Sequence, residues 1–226
     1  MTRRTASRLS KLCIGVACIL ILSSTCWAAN AESTSAGPLE NKEPGKGETS
    51  IGCLVADSFR AAMHSEVAFV SAGDLKPSTA AIESGKVRSG DVAALLTYPD
   101  EPVVVVALDG RMIREALERS VSSLPRSGQS FLQVSGCKVV FDPSRSGGRI
   151  VSIEIGGKPL VNEQAYTVAM PNSLAGGALG YWKVWSKRNI VSGSASVTCT
   201  IAVDRYFKTN PKLDYSTLNR VTAVAK

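Results

Sequence analysis

Short apolar runs bounded by turn-forming residues alternate with longer stretches of helical period along this chain. The run at residues 67–70 is continuously apolar and ends in Ser-Ala-Gly-Asp, which is typical of a buried strand followed by a turn. Four further β-branched or alternating runs share these features. The predicted strands are therefore residues 67–70, 102–108, 137–141, 150–155 and 166–170.

Three segments carry apolar residues at helical spacing. Ser50 is predicted to cap a helix that continues to His64, and residues 198–207 are predicted to form the final helix. Between them, Asp109 is predicted to cap a helix over residues 110–122. On its solvent side, Glu115 and Arg119 stand four residues apart and are expected to form an ion pair. A short helical turn is expected from Ser89.

Strands mixed with helices, but not strictly alternating with them, predict an α+β fold with a mixed sheet packed against helices. Gly156 and Gly157 are expected to form a tight hairpin turn within that sheet. No internal repeat is visible. Residues 49–226 have a length that suits one domain with a single sizeable core.

The N-terminal residues 1–31 are typical of a signal peptide. Four basic residues precede an apolar stretch at residues 12–22, which is short for a membrane span, and an Ala-x-Ala site follows at Ala29 to Ala31. An uncleaved anchor and a lipoprotein attached through Cys26 are the alternatives. The pattern predicts an exported protein, periplasmic or secreted, with no stable membrane span after cleavage.

Residues 32–48 are rich in Ser, Gly, Pro, Glu and Lys and show no apolar period, which predicts a flexible linker. Four of the 26 basic residues and none of the 19 acidic ones lie in residues 1–31, so cleavage leaves an excess of only three positive charges. No basic run with interleaved aromatic residues remains, so we expect no nucleic-acid partner.

Three cysteines follow the predicted signal peptide: Cys53, Cys137 and Cys199. One disulfide and one free thiol are possible in an oxidising compartment, and the sequence cannot pair them. We favour three buried, unpaired thiols. No C-x-x-C spacing occurs, which argues against a structural zinc site.

Several ordered segments resemble the C-terminal, substrate-binding domain of the 5′-nucleotidase family. Residues 51–57 are similar to its LGNLVADA helix start, and residues 108–118 to its LTGxxLKxALE helix. Residues 131–136 match FLQVSG and residues 139–144 match VxYDPS, while residues 166–170 are similar to YTVAT. The resemblance covers about residues 49–185.

In that family a separate N-terminal metallophosphoesterase domain holds two metals and carries the chemistry. A two-metal centre requires several His and Asp ligands, whereas this chain has a single histidine, His64, which we expect at the surface. The resemblance therefore implies a free-standing recognition domain with no catalytic residue, no metal site and no cofactor of its own.

The resemblance also implies a substrate site. The family holds its base between two aromatic rings, whose counterparts are Phe131 and Tyr181; without the resemblance we would assign both to the core. Ser71 and Lys76 stand where the family has an Asn and an Arg, and lysine lacks the planar fork of arginine. The GGDG loop reads Gly177-Ala178-Leu179-Gly180, which implies a weakened or altered pocket.

Three functions follow from these observations. The chain is expected to bind a nucleotide or nucleoside-like small molecule without hydrolysing it alone. Alternatively, it is the substrate-binding half of a split, metal-dependent 5′-nucleotidase that acts with a separate metallophosphoesterase chain. The third possibility is a protein-interaction domain without a ligand.

Overall fold

The computed structural model describes residues 30–224, so the predicted signal peptide lies outside the described residues except for its last two. In chain order the helices and strands are β1 (Glu32–Ser35), β2 (Leu39–Asn41), α1 (Ser50–Met63), β3 (Val67–Ser71), β4 (Ser78–Ile82), β5 (Gly85–Arg88), α2 (Ser89–Ala93), β6 (Pro102–Asp109), α3 (Gly110–Val121), β7 (Leu132–Ser135), β8 (Cys137–Phe141), β9 (Ile150–Ile155), β10 (Lys158–Pro159), β11 (Ala165–Pro171), α4 (Asn172–Ala175), β12 (Ile190–Thr198), α5 (Cys199–Thr209), β13 (Lys212–Leu213) and β14 (Val221–Ala223). Three 3₁₀ turns, Ala72–Asp74, Ala178–Lys183 and Lys187–Asn189, complete the described elements.

The fold is α+β, as predicted, and is built on a mixed five-stranded sheet. Its strand order is β12-β6-β11-β3-β7, in which β11 runs parallel to β3 and antiparallel to β6. A second sheet has the order β10-β9-β8-β14, and two small sheets, β13-β1-β5 and β2-β4, lie at the N-terminal segment.

Apolar side chains cover both faces of the five-stranded sheet. On β3, Val67 and Phe69 belong to one hydrophobic cluster, while Ala68 and Val70 belong to another. The first cluster includes α3 and the strands β8 and β9, and the second includes α1 and α5. Because both faces are buried, β3 has the continuous apolar run that the sequence shows.

The helix caps follow the expected chemistry with one correction. Asp109 caps α3 as predicted, its carboxylate accepting from the backbone of Met112 at 2.9 Å. For α1 the cap is Thr49 rather than Ser50, since the Thr49 hydroxyl accepts from the Gly52 amide at 2.9 Å. The hydroxyl of Ser50 instead accepts from the backbone amide of Glu40.

Residues 32–48, predicted to be a flexible linker, are part of the folded body. β1 pairs with β5 and β13, and the buried Ser33 donates to backbone carbonyls of Phe207 and Asn210. Small polar side chains in this segment form hydrogen bonds with backbone groups that are distant in the sequence. These hydrogen bonds hold the segment in place although it lacks an apolar period. The linker prediction was therefore wrong.

The three cysteines of the described region, Cys53, Cys137 and Cys199, are buried and unpaired. Burial raises the pKa of the Cys53 and Cys137 thiols to about 12, so both remain protonated near neutral pH. None of the helices between residues 30 and 224 is long and apolar enough to cross a membrane.

Candidate functional site

A cleft of about 470 Å³ opens beside the loop that follows β3. It lies between three chain segments: residues 42–45 from the N-terminal region, residues 72–77 after β3, and residues 127–129 before β7. Thr97 closes one side. The described residues that line it are Lys42, Glu43, Pro44, Gly45, Ala72, Gly73, Leu75, Lys76, Pro77, Thr97, Ser127, Gly128 and Gln129.

The two predicted polar positions of the β3 loop have different surroundings. Ser71 is fully buried, and its backbone amide and hydroxyl both donate to the Asp74 carboxylate, at 2.9 and 2.7 Å. Ser71 therefore stabilises the loop and presents no free group to the cleft. Lys76 lines the cleft and is exposed, with its ammonium 3.2 Å from the carbonyl of Ala94.

Asp74 is an unusual group for this position because its carboxyl is almost completely buried. Its pKa rises to about 6, mainly because of burial; the two Ser71 donors oppose this rise and the nearby Glu101 carboxylate adds to it. Nothing in the sequence alone distinguishes Asp74 from an ordinary turn aspartate. The structure identifies it as a group that changes charge between about pH 5 and 7.

The predicted aromatic pair, Phe131 and Tyr181, lies in the main hydrophobic cluster. Both side chains are buried, with exposed fractions of 1% and 0%. The Tyr181 ring stacks on Trp185, with ring centroids 4.7 Å apart, and its hydroxyl donates to the carbonyl of Ser130 at 2.6 Å. Neither ring offers an open face to the cleft in this conformation.

The loop at residues 177–180, which stands where the family has GGDG, packs against the part of the core that contains Tyr181. Gly177 and Gly180 have φ angles of +93° and +83°, and Leu179 adopts φ +54°, which is uncommon for a residue with a branched side chain. A Cβ at Gly177 would lie 2.6 Å from the Cα of Trp182, so glycine is required there. Gly177 packs on Trp182 and does not line the cleft.

Arg119 contributes to this loop, which sequence reasoning missed. It was predicted to pair with Glu115, but its guanidinium donates to the carbonyl of Leu179, with Nε at 3.0 Å, and lies 5.5 Å from the centre of the Tyr181 ring. The ion-pair prediction was wrong because a partly buried carbonyl and the face of a buried ring compete with the exposed carboxylate of Glu115. No local sequence signal marks this contact.

The predicted residues thus meet around one corner of the molecule. Ala72, next to Ser71, donates to the carbonyl of Phe131 at 2.8 Å. A Cβ placed on Gly73 would lie 3.2 Å from a methyl group of Leu179, so the altered loop contacts the β3 loop directly. Lys76 lies at the cleft, whereas Ser71, Phe131 and Tyr181 lie beneath it.

Across residues 30–224, no group of three or more His, Cys, Asp or Glu side chains is arranged to hold a metal ion. His64 ends α1 in a left-handed conformation with φ 51°, and its side chain is exposed.

The family model described as "5′-nucleotidase, C-terminal domain" matches residues 29–186. The chain belongs to the 5′-nucleotidase C-terminal domain family. The match begins before β1, which agrees with the ordered N-terminal segment.

The chain is 29% identical over 144 residues to the trifunctional nucleotide phosphoesterase protein YfkN of Bacillus subtilis, an alignment that covers 59% of this chain and 10% of that protein. It is 29% identical over 127 residues to the human 5′-nucleotidase, covering 52% of this chain and 22% of the relative.

Solved structures support the same fold. The 5′-nucleotidase precursor from Thermus thermophilus superposes with a TM-score of 0.76 at 24% identity, covering 89% of this chain and 41% of that one. The Haemophilus influenzae NAD nucleotidase superposes with a TM-score of 0.69 at 16% identity, covering 85% of this chain and 38% of that one. The chain thus spans well under half the length of each of these four relatives.

Proposed function

We propose that this domain binds a nucleotide or nucleoside-like molecule in the cleft between residues 42–45, 72–77 and 127–129, and does not hydrolyse it alone. The observation that carries the proposal is that the β3 loop, which the resemblance assigns to the substrate site, and the loop before β7 border a cleft of about 470 Å³. Clefts of this size, with a few convergent polar groups, are typical of small-molecule sites.

Family membership supports the ligand class. Several relatives are named as nucleotidases or nucleotide phosphoesterases, and the chain matches only a tenth to about a quarter of their length. With one histidine in the whole sequence, this chain is a poor source of ligands for a two-metal centre. We therefore expect recognition without catalysis.

In this proposal Phe131 and Tyr181 do not form a ready-made pair of rings with an open gap for a base. Phe131 and Tyr181 could contact a base only after the loop at Leu179 moves away from Gly73, because both rings are buried in the closed conformation. Their contact with ligand remains a prediction. Export of the protein is likewise proposed from the pattern of residues 1–31.

Isothermal titration calorimetry with AMP and with adenosine tests the binding. Gln129→Trp should fill the cleft, because Gln129 lines it with an exposed side chain, and should weaken binding at least about tenfold. Gln164→Trp is the matched control, since Gln164 is exposed immediately before β11 and lies outside the cleft. Absence of saturable heat with both ligands, or equal affinity in Gln129→Trp, contradicts the proposal.

The same samples test catalysis. Phosphate release from AMP should stay at the uncatalysed level with the chain alone, with and without added Mn²⁺. Release that depends on the metal would show that the chain supplies its own hydrolytic centre and would overturn the non-catalytic part of the proposal.

A further inference from the structure

One wall of the cleft is a chain segment outside the predicted site. We call residues 42–49, between β2 and α1, the strap. Pro44 and Gly45 of the strap are buried, and the carbonyl of Gly45 accepts from the amide of Gly128 at 3.0 Å. The strap thus crosses from β2 to the loop before β7 and closes one side of the cleft.

A fully buried glutamine fixes the strap in this position. The amide nitrogen of Gln133 donates to the carbonyls of Pro44 and Gly47, at 2.9 and 2.8 Å. Its oxygen accepts from the backbone of Thr49 at 3.0 Å. Three hydrogen bonds from one side chain on β7 replace the apolar contacts that the strap lacks.

A second buried amide connects the strap to the β3 loop. Asn41, immediately before the strap, donates to the carbonyl of Lys76 at 2.8 Å and accepts from the hydroxyl of Thr49. Lys42 and Lys76 therefore approach the same cleft from two segments that are hydrogen-bonded to each other, and both line it.

The charges of the cleft favour an anion. Its charged residues are Lys42, Glu43 and Lys76, and the Glu43 carboxylate is paired with Lys46 at 2.5 Å. Within the part of the chain that the structure describes, neither Lys42 nor Lys76 has a carboxylate within ion-pair distance. The remaining polar side chains of the lining are the hydroxyls of Thr97 and Ser127 and the amide of Gln129.

The cleft also lacks an aromatic surface. None of the described residues that line it is Phe, Tyr, Trp or His. A nucleobase gains its affinity largely from stacking on such rings, whereas a phosphate gains it from ammonium and hydroxyl donors. The closed conformation therefore suits the phosphate end of a ligand better than its base.

We infer that the strap supplies Lys42 as a second cation beside Lys76, and that the cleft recognises its ligand through a phosphomonoester group rather than through a nucleobase. This inference rests on the proposed function, because it concerns the same cleft. Its ligands are small polar phosphomonoesters, with or without a base.

Calorimetry with AMP, ribose 5-phosphate, inorganic phosphate and adenosine tests this assignment. AMP and ribose 5-phosphate should bind with affinities within about tenfold of each other, and adenosine should bind more weakly than either by more than about tenfold. If inorganic phosphate binds as tightly as both esters, the inference is overturned, because the cleft would then recognise a free anion and not a phosphomonoester.

A pair of variants distinguishes the contribution of Lys42 from that of the overall positive charge of the chain. Lys42→Ala should weaken AMP and ribose 5-phosphate about tenfold, the loss expected for one charge-assisted hydrogen bond. Lys158→Ala, at the exposed hairpin strand β10, is the control and should leave both affinities unchanged. Unchanged affinity in Lys42→Ala overturns the role of the strap.

The outcomes also separate this inference from the proposed function. Equal binding of AMP and adenosine, with no binding of ribose 5-phosphate, would leave the proposed function intact and overturn phosphate recognition. Absence of binding by all four compounds would overturn the proposed function itself, and this inference with it.

Discussion

Asp74 shows how one buried carboxyl makes this fold sensitive to pH. Its pKa is near 3.8 in the unfolded chain and rises to about 6 in the folded protein, mainly because its carboxyl is buried. Between these values the folded state retains a proton that the unfolded state has lost. Stability from this group is therefore complete at low pH and falls as the pH rises through this window.

Asp74→Asn tests this directly, since an amide oxygen can still accept from Ser71. The free energy of unfolding of the unmodified protein should fall by about 2–3 kcal/mol between about pH 4 and pH 7 relative to the variant. Urea unfolding at each pH measures the difference. Parallel pH profiles in the two proteins would show that the Asp74 pKa is unperturbed.

Tyr181 provides a second test at the residue scale. Burial raises the pKa of its phenol, so the group stays neutral and donates to the carbonyl of Ser130. Tyr181→Phe should cost about 1–2 kcal/mol of unfolding free energy, because that carbonyl loses its partner. Tyr98→Phe is the control, since Tyr98 is 58% exposed. Equal stability of both variants would contradict a stabilising role of the hydrogen bond from Tyr181 to Ser130.

At the scale of elements, the apolar pattern predicted α1, α3 and α5 and the strands β3, β6, β8, β9 and β11, but not the other strands that the structure describes. β8 and β9 begin and end at the predicted residues, and α3 begins after its predicted Asp109 cap. These elements are recognisable because their own residues carry the burial pattern and the capping group. Lys76, which the resemblance assigns to the substrate site, lines the cleft, and its contact with a ligand stays a prediction.

The strap and Arg119 could not be predicted in the same way. The strap is ordered by Gln133, which lies 84 residues beyond Thr49 in the chain. Arg119 contacts Leu179, 60 residues away, instead of its helical neighbour. The burial of Tyr181 agrees with the core assignment that its residue type suggests without the resemblance, but its hydrogen bond to Ser130, 51 residues away, has no local signal. Such partners become apparent only when the tertiary structure is known.

Gln133→Leu tests the strap as an element. A leucine of similar size would leave two carbonyls and one amide of the strap without partners, which should cost about 2–4 kcal/mol. Hydrogen–deuterium exchange should accelerate at residues 45–49 before the rest of the fold opens. Gln164→Leu is the exposed control. Unchanged exchange in the strap would contradict its dependence on Gln133.

Across the whole molecule, Arg220 ties the C-terminal segment to α1 and β7. Its guanidinium makes two 2.8 Å hydrogen bonds to Asp57 and one of 2.9 Å to the carbonyl of Val134. The hydroxyl of Tyr215 also donates to Asp57, at 2.8 Å. This segment is thus closed onto the core by a partly buried ionic network.

Arg220→Ala should destabilise the protein by about 3 kcal/mol, because it leaves the Asp57 carboxylate without its charge partner. Arg145→Ala removes an exposed pair with Asp142 and should cost less than about 1 kcal/mol. Thermal and urea unfolding compare the two variants. Similar losses in both would show that the Arg220 network contributes no more than a surface ion pair.

The central claim is that this member of the 5′-nucleotidase C-terminal domain family binds its ligand in the cleft beside the strap. An NMR titration of ¹⁵N-labelled protein with AMP tests it most directly. The account predicts saturable shifts at the amides of Gly45, Gly73, Gly128 and Gln129. Absence of saturable shifts, or shifts confined to Tyr215, Ser216 and Leu218, which line a separate cleft of about 550 Å³, would contradict it.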